Sequence, residues 1–149
     1  MWLDRMTEDE LTPLRACAPD IILVGSFGLI FKRPLLDIPR IGCINCHCAL
    51  LPRHRGPNPF AAVVHSGDAE TGVTFHVMDE GIDTGPILDQ TRLAIRSRET
   101  MATMHYRTAE LAAARVVDVV DGIERHGLQG TSQDPHLATY DSRIEGDAL

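Results

Sequence analysis

Apolar residues change their spacing several times along this chain, and each change marks an element. Leu11, Leu14 and Cys17 recur at helical spacing behind Thr7-x-x-Glu10, a capping box, which predicts a helix over residues 7–18. Ile21 to Val24 is a short, wholly apolar, partly β-branched run, the pattern of a strand buried on both faces of a parallel sheet. Ser26 to Phe31 reads as a turn and loop, Arg33 to Leu36 as a helical turn ended near Pro39, and Ile41 to Cys46 as a second buried strand. Leu51 to Pro59 holds three prolines and a glycine and forms a stiff loop, followed by a short helix from Pro59 to Ser66 that Gly67 stops. Val73 to Val77 alternates as a third strand, and a fourth lies within Ile87 to Ile95.

The longest periodic stretch opens at Glu99 or Thr100 and runs to about His126, with Gly127 as its stop. Met101, Met104, Leu111, Val116, Val119, Val120 and Ile123 form its core stripe. Residues 128–149 are polar, turn-rich and aperiodic, and read as an extended tail or linker behind a domain of residues 1–127. Alternating helices and apolar strands put the fold in the α/β class with a largely parallel sheet.

Composition narrows the function classes. A length of 149 residues, 44% hydrophobic and 23% charged, suits one globular domain with a sizeable core. A net charge of −7 argues against a surface built mainly for polyanions. No apolar run approaches a membrane span and no signal-peptide core is present, so a cytoplasmic protein is expected. Three of the four cysteines crowd into Cys43 to Cys48, poor spacing for a disulfide framework and suited to a reducing compartment. Cys43-x-x-Cys46-His47 matches the pattern of covalent haem attachment, and the cysteines with His54, His65 or His76 would supply zinc-ligand types. On a strand, however, Cys43 faces away from Cys46 and Cys48, so they read as small buried hydrophobes and no metal is expected.

In an open α/β sheet, ligands bind at the carboxyl ends of the strands. Asn45 and His47 fall where the second strand runs out and Asp83 follows the third, placing an amide, an imidazole and a carboxylate at one rim. That is the inventory of an acyl-transfer site. His76, on an apolar strand, reads as a hydrogen-bonded core histidine.

The motifs Asn45-Cys-His47, Ala49-Leu-Leu-Pro-Arg-His-Arg-Gly56, Thr71-Gly-Val-Thr-Phe-His76 and Asp79-Glu-Gly-Ile-Asp83-Thr-Gly85 occur in this order. So arranged, the chain resembles the 10-formyltetrahydrofolate-dependent formyltransferases, most closely the catalytic domain of the methionyl-tRNA formyltransferases, over roughly Ala18 to Gly127. The resemblance implies a Rossmann-like domain and transfer of a formyl group from 10-formyltetrahydrofolate to an amine. Asn45 would donate to the developing oxyanion. His47, if protonated, would stabilise the same oxygen and shuttle a proton. Asp83 would orient His47, raise its pKa and organise a water or accept the amine's proton. Phe27, Gly28, Leu29, Ile30 and Phe31, with Asp79, Gly81 and Ile82, would line the pterin pocket. Arg53, Arg55 and Gly56, on the Pro-rich loop, are the substrate-side candidates.

Two departures from the family pattern carry consequences. Ala49 stands where the family usually has Ser, at the expected cost of a local hydrogen bond. The family's N-terminal strand-helix-strand region and its C-terminal nucleic-acid-contacting domain have no counterpart in these residues. A homo-oligomer or other partner is therefore expected over the bare sheet edge, and tRNA is a weaker acceptor candidate than the folate is a donor. The alternatives are hydrolysis of formyltetrahydrofolate, with water replacing the amine, and a non-catalytic module that binds folate or completes a partner.

Overall fold

The structure, a computed structural model, describes residues 7–28 and 30–142. Its elements follow in order: α1 (Glu8–Ala16), β1 (Ile21–Gly25), α2 (Arg33–Leu36), β2 (Gly42–His47), α3 (Pro59–Ser66), β3 (Glu70–Val77), β4 (Ile87–Ala94), α4 (Met101–His126) and a 3-10 turn at Pro135–Leu137. The capping box forms as expected: Thr7 N–H donates to Glu10 Oε2 at 2.7 Å and Glu10 N–H to Thr7 Oγ1 at 3.4 Å. The helix ends two residues short of the predicted limit. Ala18 precedes Pro19, a position barred from helical geometry, and turns away at φ 45°. Gly67 caps α3 in the left-handed region at φ 66°.

The four strands lie in sequence order, β1-β2-β3-β4. The α/β class and the Rossmann-like arrangement stand, but the sheet is mixed. β1 and β2 pair parallel, whereas β2–β3 and β3–β4 pair antiparallel. Among the described strands, parallel pairing is thus confined to β1 and β2, which are joined through α2, whereas the connection that carries α3 leads into an antiparallel neighbour. β1 is an edge strand, and the expectation that both its faces are buried fails: Val24 is buried but Leu23 is 45% exposed. No described element lies over that side chain.

Alternation along β2 divides the interior. Ile44 and Cys46 point to one face and pack with Val73, Phe75, Val119 and Ile123 beneath α4. Cys43 points to the other, where it joins Leu11, Val24, Phe31 and Leu35. Asn45 and His47 continue the Cys43 face beyond the point where its apolar cover ends. Ala49 sits fully buried with Val63 and Met104, and its carbonyl accepts Thr74 Oγ1–H at 2.6 Å. No helix among the described residues is long and apolar enough to cross a membrane.

Residues 128–142 run largely without regular structure apart from the 3-10 turn, and they are tied down. Thr131 exchanges two backbone hydrogen bonds of 2.8 Å with Ile87 at the start of β4. Further on, Arg55 N–H donates to Thr139 O at 3.0 Å and Asp141 N–H to Arg55 O at 2.8 Å. The stretch 131–141 therefore crosses from the outer strand to the Pro-rich loop.

Burial separates two otherwise similar truncations. Ile44→Ala removes a fully buried side chain and is expected to cost roughly 2–5 kcal/mol. Leu23→Ala, on the open edge, is expected to stay within about 0.5 kcal/mol. Urea unfolding midpoints of the two variants decide it, and equal losses would mean that the edge is covered.

Candidate active site

Strand pairing assembles the polar centre. In the antiparallel register Asn45 lies opposite His76 and His47 opposite Thr74, so an alternate-face pattern on two strands delivers Asn45, His47 and His76 to one patch. Asp83 arrives from the loop between β3 and β4 at φ 53°, a left-handed conformation that Asp tolerates better than most residues. Nearby Gly85 is packed so closely that a Cβ there would come within 1.8 Å of Val77 O. The loop can fold back on β3 only because residue 85 has no side chain.

Asp83 is the hub. Its Oδ1 accepts from Asn45 Nδ2–H at 3.2 Å and lies 3.4 Å from His76 Nε2. Its Oδ2 accepts the Gly56 N–H at 2.9 Å and lies 3.6 Å from His47 Nδ1. Burial on its own would raise the pKa of this carboxyl. The His76 hydrogen bond, the charge His47 can carry and the Gly56 N–H overcome that and hold it at about 2. The carboxylate is thus ionised throughout the neutral range.

The histidine tautomers follow from their partners, because a carbonyl oxygen only accepts. His47 Nε2 is 2.8 Å from His54 O, so Nε2 carries the hydrogen and the neutral ring presents a bare Nδ1 toward Asp83. His76 Nδ1 is 2.9 Å from Val77 O, so Nδ1 carries a hydrogen, and its Nε2 stands between Asn45 Nδ2 at 3.2 Å and Asp83 Oδ1 at 3.4 Å. Asp83 pulls the His47 pKa upward as expected but is outweighed, and the expectation that Asp83 orients the ring is corrected. The His47 ring is only 5% exposed, and burial outweighs Asp83 to push its pKa below the ordinary value, not above it. Its orientation comes from the His54 carbonyl and not from Asp83, which stands beyond hydrogen-bonding distance. His76 is buried and hydrogen-bonded, as a core histidine should be, and also touches the polar centre.

These groups floor a cleft of about 440 Å³, within the range of small-molecule sites. Phe27, Gly28, Ile30, Phe31, Asp79, Gly81 and Ile82 all line it; Leu29 lies outside the described residues. Phe27 and Phe31 meet edge to face at 5.8 Å, and Phe27 and Ile30 are more than half exposed, leaving an apolar wall uncovered. Gly56 also lines the cleft, but Arg53 and Arg55 do not. Arg53 donates to Asp68 Oδ1 at 2.9 Å, and Arg55 donates to Gln133 Oε1 at 3.2 and 2.7 Å.

Sequence reasoning missed the contribution of the extended segment. Gln133 Nε2 donates to Asp83 O at 2.9 Å and Gly85 O at 2.7 Å, bracing the loop that carries the carboxylate. Tyr140 forms part of the cleft lining. No periodicity announced either residue. Cys43 and Cys46 pack in different clusters, and among the described residues no group of three or more His, Cys, Asp or Glu converges as a metal site would.

Comparison with known proteins adds an independent line. A methionyl-tRNA formyltransferase of Pseudomonas putida strain F1 is 44% identical over 139 residues, covering 93% of this chain and 45% of that protein. The chain therefore spans a little under half the length of that relative. The N-formyltransferase of Helicobacter canadensis, in complex with folinic acid and dTDP-3-aminofucose, superposes with a TM-score of 0.70 at 25% identity, covering 78% of this chain and 43% of that one. The methionyl-tRNA formyltransferase of Clostridium thermocellum superposes with a TM-score of 0.70 at 22% identity, covering 94% and 59%. The family model described as formyl transferase matches residues 4–120. With that match over most of its length, the chain belongs to the formyl transferase family.

Proposed function

We propose that this chain transfers a formyl group from 10-formyltetrahydrofolate to an amine. The observation that carries the reading is an ionised, buried Asp83 beside the bare Nδ1 of a neutral His47, at the floor of an apolar-walled cleft. Membership of the family and the folinic acid in the Helicobacter canadensis complex support the choice of donor. The apolar wall of Phe27, Ile30 and Phe31 suits a flat pterin.

In this reading the amine nitrogen forms a bond to the formyl carbon while the formyl oxygen gains negative charge. His47 Nδ1 takes a proton from the attacking amine and returns one to the departing folate nitrogen as its bond to the carbon breaks. Asp83 stabilises the imidazolium formed in between, at a separation of 3.6 Å. Asn45 is the neutral donor at the floor. Both its amide hydrogens are engaged, by Asp83 and His76, so donating to the oxyanion requires exchanging one of those bonds. Hydrolysis in place of transfer has no such support from the three relatives described above, each of which carries a transferase name.

For the acceptor, the names of the relatives above 40% identity make methionyl-tRNA the first amine to test, and an amino sugar nucleotide the second. Four free cysteines fit a reducing cytoplasm. The open edge of β1, with Leu23 exposed, would be covered by a partner strand, in the simplest case from a second copy.

Asn45→Ala is expected to lower kcat for formyl transfer by about 10²–10³-fold, measured with the methionyl-tRNA or sugar acceptor that wild type accepts. Unchanged turnover would remove Asn45 from the oxyanion. Since the base must be neutral, activity should fall as acid protonates His47. Burial lowers that pKa, so the acid limb of kcat/KM should lie below the ordinary value of about 6.5. A limb at or above that value would contradict the neutral-base assignment. Light scattering after size exclusion should give more than the monomer mass at micromolar concentration. A clean monomer would mean that the β1 edge needs no second copy.

A further inference from the structure

His54 carries none of the proposed chemistry, yet it is only 3% exposed and sits at φ 60° in the Pro-rich loop. Few residues other than glycine hold that conformation without help. Here the help comes from three directions. Its Nε2 lies 2.8 Å from Asp68 Oδ2, in the turn after α3, and its Nδ1 lies 3.0 Å from Asp141 Oδ2, in the extended segment. Its backbone N–H donates to Thr139 Oγ1 at 2.8 Å. Asp68 is itself held by Arg53, 2.9 Å away. With a carboxylate at each ring nitrogen, either tautomer gives one charge-assisted hydrogen bond and a protonated ring gives two.

The remaining polar group of His54 is its carbonyl, which takes the Nε2–H of His47 at 2.8 Å. Resting on the assignment of His47 as the proton carrier, we propose that His54 is a positioning residue: Asp68 and Asp141 clamp its ring so that its carbonyl fixes the tautomer of His47 and leaves Nδ1 bare toward Asp83. Docking of the segment 139–141 is then part of building the site. The same stretch brings Tyr140 to the cleft and closes over Gly56, where a Cβ would meet Asp141 O at 2.3 Å. A purely structural clamp would hold the loop equally well whatever the hydrogen state of His47. This one specifies it, because among the described residues the carbonyl is the sole partner of Nε2.

The test is ring-nitrogen NMR of the ¹⁵N-histidine-labelled full chain, with His47 assigned by loss of its signals in His47→Asn. Wild type should show His47 protonated at Nε2 and bare at Nδ1 near neutral pH. The double variant Asp68→Asn/Asp141→Asn, and His54→Asn beside it, should move His47 toward a mixture of both tautomers. In parallel, kcat should fall by about 10- to 100-fold, as expected for a misplaced catalytic group, with little change in KM for the folate. A folded double variant whose His47 signals match wild type overturns the proposal, even if its activity is lost. If His54→Asn and the double variant do not fold, Asp141→Asn alone decides by the same signals, since it alters only the extended segment. Absence of formyl transfer in wild type would instead count against the functional reading and leave the tautomer measurement standing.

Discussion

A carboxylate withdrawn from water stays ionised only where hydrogen bonds and nearby positive charge compensate for the lost hydration. Asp83 meets that condition, and much of the architecture around it answers to the requirement. The Gly56 N–H, the Asn45 amide and the two histidines are four groups from three separate places in the chain. β2 supplies two of them at alternate positions, β3 the third, and the Pro-rich loop the fourth. Removing the pairing between β2 and β3 would scatter Asn45 from His76 and leave the carboxylate without a site. The mixed sheet is therefore not incidental: the antiparallel neighbour places two polar side chains directly across from each other.

The same constraint explains why the loop 79–85 is built as it is. Asp79 Oδ1 accepts the Gly81 N–H at 2.9 Å and the Thr84 hydroxyl at 2.6 Å, a turn closed on itself. Gly85 admits the loop to within contact of β3, and Gln133 ties its carbonyls from outside. A left-handed Asp83 costs conformational energy that a looser loop would relax. Three independent restraints keep it in place, and the carboxylate is aimed into the cleft as a result.

Much of this was legible in the chain. Helix starts were written in Thr7 and Thr100, and helix ends in Gly67 and Gly127, because capping chemistry is local. Asn45, His47 and Asp83 could be placed at one rim because alternation and strand ends are also local properties. What local patterns could not convey was non-local pairing. Whether β2 and β3 run parallel or antiparallel depends on the connection between them, which the pattern within either strand does not record. The exposure of Leu23 depends on what lies beyond β1, not on its own sequence. Gln133, Tyr140 and Asp141 lie in a stretch without periodicity, and a polar, aperiodic sequence looks the same whether it is free or docked through side-chain hydrogen bonds.

The sign of the His47 shift shows why a residue inventory underdetermines chemistry. A histidine beside an aspartate suggests a raised pKa, and Asp83 does pull in that direction. Yet the two rings and the carboxylate share a patch that the loop 52–56 covers, and the desolvation of a ring at 5% exposure outweighs a carboxylate 3.6 Å away. The outcome is a neutral imidazole next to a permanent anion. Such a pair takes up one proton with little change in the surrounding hydrogen bonds, since His47 Nε2 keeps its carbonyl partner throughout. An imidazolium would start the reaction already loaded and could only give its proton away. The neutral ring begins empty, and a group that must first relieve an attacking amine of a proton and then hand one to a leaving nitrogen has to begin empty.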